Sequence, residues 1–152
     1  MSSVHFSSAK DDWRTPIALF QSLDEEFAFT VDGCATEGNA LKPRYWTQRD
    51  EPLLRSWATE RVYINPPYGR QIARWMEKAW TEAPDAEIIV ALIPSRTDTG
   101  WWHDFVMRAD EIRFLRRRLR FGVDTPTRKD NQAPFPSAVV VWRNQYAKAH
   151  GW

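Results

Sequence analysis

The apolar positions of this chain follow two patterns that alternate along its middle. Ile17, Phe20, Leu23 and Phe27 recur at helical spacing behind Thr15-Pro16, which reads as an N-cap followed by proline at the first helical position. A short apolar strand, about Ala28 to Val31, follows and ends in Asp32-Gly33. From Thr36 to Ala58 no period holds, and Gly38, Pro43 and Pro52 break the chain, so a loop with short helical pieces around Trp46 and Leu53-Leu54 is expected. Arg61 to Ile64 predicts a second strand, cut off by Asn65-Pro66-Pro67-Tyr68-Gly69. Beyond it Ile72, Trp75, Met76, Ala79 and Trp80 stand on one helical face. "EIIVALIPSR" is an unbroken apolar run of the kind that forms a strand buried on both faces, and Pro94 ends it. Trp101, Phe105 and Val106 predict a short helix, Glu111 to Leu115 a strand, and Ser137 to Trp142 a final strand.

Strands alternating with helices predict an α/β fold with a mainly parallel sheet. The last two strands have no helix between them, only a polar loop with Gly122, Pro126 and Pro134, so they are expected to close the sheet edge as an antiparallel hairpin. With 152 residues, 43% of them hydrophobic, one core is expected, a single domain over 11–152 behind a loose segment over 1–10. The net charge of +1 gives no global preference for nucleic acid, and only the local distribution can decide. One cysteine, Cys34, excludes an internal disulfide framework, and no apolar run reaches the roughly 18 residues of a membrane span. A cytoplasmic protein without a membrane partner is therefore expected. His5, His103 and His150 share no ligand spacing, so no metal site is expected, and Ser95 and Ser137 lack the partners of a hydrolytic nucleophile. Composition leaves the oligomeric state open.

The stretch "RVYINPPYGRQ" carries the chemistry. Two adjacent prolines end the strand and leave a stiff, irregular backbone at its carboxyl end, where open α/β sheets bind ligands. Asn65 offers an amide oxygen, Pro66 a carbonyl aimed by fixed φ angles, and Tyr68 an aromatic face. An exocyclic amine on a planar ring needs all three. Its two N–H groups donate to Asn65 Oδ1 and the Pro66 carbonyl, which draws the nitrogen lone pair out of conjugation so that it can attack an electrophile. Tyr68 can stack on the ring, a contact worth roughly 1–3 kcal/mol for a nucleic-acid base.

With these residues in place the chain resembles the phage and prophage type DNA N6-adenine methyltransferases, a small Dam-like branch of the S-adenosylmethionine-dependent amino-methyltransferases. The resemblance runs from about Asp11 to Trp142 through "DDWRTPIALFQSLDEEF", "VDGCATEGNA", "RYWTQRDEPLLRSW", "VYINPPYG", "ALIPSRTDTGWWHDFV", "IRFLRRRLRF" and "APFPSAVVVW", in that order. It implies a Rossmann-like methyltransferase sheet, S-adenosylmethionine as cofactor and DNA as partner. Asn65, Pro66, Pro67 and Tyr68 then match the catalytic motif. Asp32 falls in the cofactor motif with Ala35 beside it, and Thr15-Pro16 resembles the segment that contacts the methionine end of the cofactor. Asp50 or Glu51 is placed like the acid that accepts from the cofactor adenine, with Asn39 as an addition. The glycine-rich G-x-G after the first strand is absent, and only 33 positions separate Asp32 from Asn65, so the sheet is expected to be trimmed on the cofactor side. Protection from host restriction is the biological role the resemblance suggests.

Five arginines fall between Arg113 and Arg120 without an acid among them, a clustering that suits phosphate contact; Arg116, Arg118 and Arg120 are the candidates, joined by Arg70 and Arg96 just past strand ends. A glycine often stands in the resembled family where Arg117 does. A stacked base cannot reach Asn65, so the mechanism implies flipping it out, with Phe121 or Phe135 as a second wall. Sequence preference would come from the loops Thr97 to Trp102 and Gly122 to Pro136. The same motif can polarise cytosine N4, an adenine in RNA or a glutamine amide, and a catalytically silent nucleic-acid-binding protein would keep the fold without turnover.

Overall fold

A computed structural model describes residues 13–120, 132–144 and 148–151. The N-terminal segment over 1–10, Phe121 and the loop residues Arg128 and Lys129 lie outside the described residues. Helix α1 spans Ile17–Phe27, strand β1 Val31–Asp32, and a short 3₁₀ turn Gln48–Asp50. Strand β2 spans Arg61–Ile64, helix α2 Ile72–Glu82 and strand β3 Ile88–Pro94. A π-helical turn at Trp102–Val106 then leads to strand β4, Glu111–Phe114, and strand β5, Ser137–Arg143, follows.

The five strands form one sheet in the order β1-β2-β3-β5-β4. β1, β2 and β3 pair in parallel, whereas β5 pairs antiparallel with both β3 and β4. Because both neighbours of β5 oppose it, β4 runs in the same direction as β1 to β3. The expected hairpin of β4 and β5 closes the sheet edge. The last strand is interior, with seven residues registered on β3, and β4 is the edge. Burial explains this order. β5 is apolar from Ala138 to Trp142 and buried along that stretch, while β4 alternates Glu111 and Arg113 with Ile112 and Phe114 and is nowhere fully buried.

All residues of β2 and β3 are buried, so the sheet is covered on both faces. α1 places Phe20 against Phe29 and Tyr63, with ring centroids 5.8 and 5.0 Å apart. α2 buries Ile72, Trp75, Met76 and Ala79, and Trp75 meets Trp57 at 6.4 Å. Two members of the sequence stripes do not join the core. Ile17 and Trp80 are exposed; Trp80 lies instead beside Phe105 and under the Arg108 guanidinium.

β1 is shorter than the expected strand because Ala28 takes a left-handed conformation and closes α1, its N–H donating to the Asp24 carbonyl. Outside β1 the chain crosses once more, as a single parallel bridge between Asp32 and Tyr45. Gly33 is needed here for packing: a Cβ would lie 2.8 Å from Val62 Cγ1 and 2.9 Å from Ile64 Cγ2.

Candidate active site

The shared direction of β1, β2 and β3 brings their carboxyl ends to one rim of the sheet. Asn65 is the first residue past β2 on that rim. Pro66 and Pro67 behind it are buried, so the turn is packed as well as stiff. No hydrogen bond among the described residues ends on the Pro66 carbonyl.

The Asn65 amide is held at both ends. Its Nδ2 donates to the Trp13 carbonyl and, at 3.1 Å, to Thr15 Oγ1. Its Oδ1 accepts from the Tyr68 hydroxyl at 2.5 Å, and that hydroxyl also lies 3.0 Å from the Leu92 carbonyl. A phenol carries one hydrogen, so Tyr68 serves one of these acceptors at a time. Thr15 Oγ1 is in turn 2.7 Å from the Tyr63 hydroxyl. Burial pushes both tyrosine hydroxyls above the ordinary phenol value, which keeps them protonated.

Thr15 is therefore not the N-cap its sequence suggested. Pro16 takes the cap position, no side chain caps α1, and the buried threonine hydroxyl turns inward to Asn65 and Tyr63. Tyr68 is only 1% exposed. Its ring meets Phe135 edge-on at 5.5 Å, Phe135 meets Trp13 edge-on at 5.3 Å, and the Arg96 guanidinium stands 5.9 Å from the Phe135 centroid. Trp13, Phe135 and Tyr68 thus form one string of rings that ends at the Tyr68 hydroxyl on Asn65; Phe135 is one of the two walls the sequence offered, and Phe121 lies outside the described residues.

Asp32 lies buried at the end of β1. Its Oδ1 accepts the Cys34 N–H at 3.3 Å and its Oδ2 the Leu41 N–H at 3.1 Å, which fastens the loop between them. Burial pushes the carboxyl up to about 6, against the downward pull of those two N–H groups. Ala35 is buried beside it and donates to the Trp46 carbonyl at 3.0 Å. Asn39 Oδ1 accepts the Thr36 N–H at 2.7 Å and closes a turn. Asp50 and Glu51 are exposed, and one oxygen of Asp50 is engaged: its Oδ2 accepts the Thr47 N–H at 2.8 Å and the Thr47 hydroxyl at 3.2 Å in a capping box.

The arginine run divides. Arg113 pairs with Glu26 and Glu111 and stacks on Phe27, so it is tied to the fold. Arg116, Arg117 and Arg118 are exposed and join no ion pair among the described residues; Arg120 is exposed where it bridges to Gln132. Arg117 has φ 69°, the left-handed region that favours glycine. Arg70 and Arg96 are also exposed. Because β4 runs with β1 to β3, the segment after Phe114 leaves the sheet on the rim that carries Asn65.

Three contributors to the site had no motif of their own. Trp13 and Leu92 act through backbone carbonyls, and Tyr63 is embedded in an apolar run. Only Tyr63 left a signal, since a buried tyrosine hydroxyl requires a partner.

The family model described as DNA N-6-adenine-methyltransferase (Dam) matches residues 2–151. The chain is also similar to the DNA N-6-adenine-methyltransferase of Haemophilus phage HP1 (strain HP1c1), with 26% identity over 138 residues that cover 89% of this chain and 80% of the relative.

Proposed function

The chain belongs to the DNA N-6-adenine-methyltransferase (Dam) family, and from that membership we propose that it moves the methyl group of S-adenosylmethionine onto the N6 amino group of an adenine flipped out of DNA. The observation that carries this reading is the Asn65 amide, whose nitrogen is taken up by Trp13 and Thr15 so that its oxygen is the end left to accept. Oδ1 has two lone pairs, and Tyr68 uses at most one. One N6–H donates to Oδ1 and the other to the Pro66 carbonyl. The amine nitrogen is thereby drawn towards tetrahedral geometry, and its lone pair is free to form the new N–C bond. S-adenosylmethionine supplies an electrophilic methyl on a sulfonium, whose C–S bond breaks with the electrons passing to sulfur. The extra proton on nitrogen leaves to solvent after transfer, so no general base is needed before attack.

The residues around β1 suit this cofactor chemically. A carboxylate offers about four lone-pair positions, and the backbone N–H groups of Cys34 and Leu41 use two at Asp32, which leaves capacity for ribose hydroxyls. Buried Ala35 keeps this wall small, and the Thr15-Pro16 backbone lies next to Asn65 for the methionine end. Asp50 keeps Oδ1 beyond its two bonds from Thr47, so Asp50 or Glu51 is the proposed acceptor for the cofactor adenine. Arg70, Arg96, Arg116, Arg118 and Arg120 face the DNA backbone in this reading, with Phe135 beside the flipped base and Tyr68 reaching it by giving up its contact with Asn65 Oδ1.

Incubation with labelled S-adenosylmethionine and unmethylated DNA, digestion to nucleosides and mass spectrometry test the proposal. Labelled N6-methyladenine is expected. N4-methylcytosine, a product formed only on RNA or no labelled nucleoside would overturn it.

A further inference from the structure

We propose that Thr15 and Tyr63 are positioning residues that fix the orientation of the Asn65 amide, so that an oxygen and not an N–H group meets the substrate amine. The inference rests on the reading of Asn65 given above and adds what makes that side chain competent. A side-chain amide can rotate by half a turn at almost no steric cost, because its oxygen and nitrogen are nearly the same size. In the wrong orientation Asn65 would oppose N–H to N–H, and the acceptor would be lost. Within the motif only the Tyr68 hydroxyl bears on this, and a hydroxyl that donates to the Leu92 carbonyl can equally accept from a flipped amide.

The surrounding polar atoms do. The Trp13 carbonyl can only accept, so it demands Nδ2. Thr15 Oγ1 accepts the second Nδ2 hydrogen at 3.1 Å. Thr15 would be free to turn away, but the Tyr63 hydroxyl, 2.7 Å from Oγ1, holds it there. Tyr63 is itself immobilised: its ring is fully buried in β2, 5.0 Å from Phe20 and 5.3 Å from Phe29. Core aromatic rings thus set a phenol, the phenol sets a threonine, and the threonine sets the amide. Tyr68, donating to Oδ1 from the other side, agrees with the same orientation. The chain of contacts links α1, β2 and the catalytic turn, and it gives the threonine of Thr15-Pro16 a task distinct from contact with the cofactor.

Thr15→Val removes the acceptor at nearly constant volume, Tyr63→Phe removes the hydroxyl behind it, and Thr15→Ser restores the first. Each is measured as the full chain for kcat at saturating DNA and S-adenosylmethionine, for cofactor Kd by calorimetry, and for folding by thermal melting. Thr15→Val and Tyr63→Phe are expected to lower kcat by about 10- to 100-fold with cofactor Kd changed less than about twofold, and Thr15→Ser to rescue most of the loss. A Thr15→Val enzyme with normal kcat and weakened cofactor binding would overturn the proposal, as would a Thr15→Ser enzyme no faster than Thr15→Val. Should Tyr63→Phe fail to fold, the two Thr15 variants still decide. A second readout needs no turnover: in NMR the Asn65 side-chain N–H protons should exchange slowly in the unmodified protein and about tenfold faster or more in Thr15→Val. Slow exchange in both would overturn the inference. If the unmodified protein makes no N6-methyladenine while this exchange difference holds, the proposed reaction fails and the positioning role stands.

Discussion

The turn at Asn65 and the segment from Arg116 to Arg120 share a rim of the sheet, yet they are built on opposite principles. At Asn65 every amide hydrogen is placed, the flanking prolines are buried, and the hydroxyls around it are withdrawn from water. At Arg116 to Arg118 the charges are exposed and unpaired among the described residues. The difference follows from what each would touch. A reacting amine must meet its acceptors within tenths of an ångström, which only a preorganised site can offer. A phosphate backbone is a repeating line of charge, and long cations that keep their freedom can follow it. Where both kinds of residue occur in one run, the partner tells them apart: Arg113, held by Glu26 and Glu111, belongs to the fold.

The contrast breaks most visibly at Asn65→Ala. This change should lower methyl transfer by about 10²- to 10³-fold or more, while calorimetry with the demethylated cofactor stays unchanged; near-normal transfer would remove the turn from the mechanism. Asp32 probes the cost of burying a charge on the ordered side. Its carboxyl is raised from 3.8 to about 6, so the folded state holds the proton more tightly than the unfolded state, and stability falls as pH rises from about 4 through about 6. The loss should reach roughly 3 kcal/mol by neutral pH. Glu26, Glu60 and Glu111 slope the other way, because hydrogen bonds from Arg113 and Arg44 hold them below the usual carboxylate value. Urea unfolding of the protein and of Asp32→Asn across this range isolates the buried group, and curves that stay parallel would refute its raised value.

On the exposed side, replacing Arg116 and Arg118 with Ala should weaken DNA binding about tenfold and reduce the slope of log affinity against log salt by about 2, leaving kcat at saturating DNA unchanged. An unaltered slope would mean that the DNA runs elsewhere. The smallest effect is expected at Arg117→Gly. Its φ of 69° suits glycine, so unfolding should show a gain of about 1 kcal/mol or less, with a smaller loss of DNA affinity than either neighbour gives.

What could be read from sequence was whatever depends on local pattern. β2, α2, β3 and β5 were legible because an apolar run or a helical stripe repeats over several residues, and the catalytic turn because two prolines after a strand have few uses. Thr15 was misleading: a threonine before proline looks the same whether its hydroxyl caps a helix or reaches 50 positions along the chain to Asn65. Ile17 and Trp80 matched the period and remained outside the core, since the width of a buried stripe is set by what packs on it. The interior place of β5 was also hidden. Strand pairing depends on burial across the whole sheet, and the turn between β4 and β5 is compatible with either strand outermost. The Trp13 and Leu92 carbonyls had no sequence signature at all, because every residue but its side chain offers the same acceptor.

The insertion of β5 between β3 and β4 has a consequence for how the protein is made. Until Arg143 has left the ribosome, β3 presents a seven-residue apolar edge with nothing to pair it, and β4 has no place in the sheet. The arginine segment after β4 can join the rim that holds Asn65 only when this late strand stands between β3 and β4. Fragments of the chain would therefore be prone to edge-to-edge association and would have no complete rim with which to modify anything.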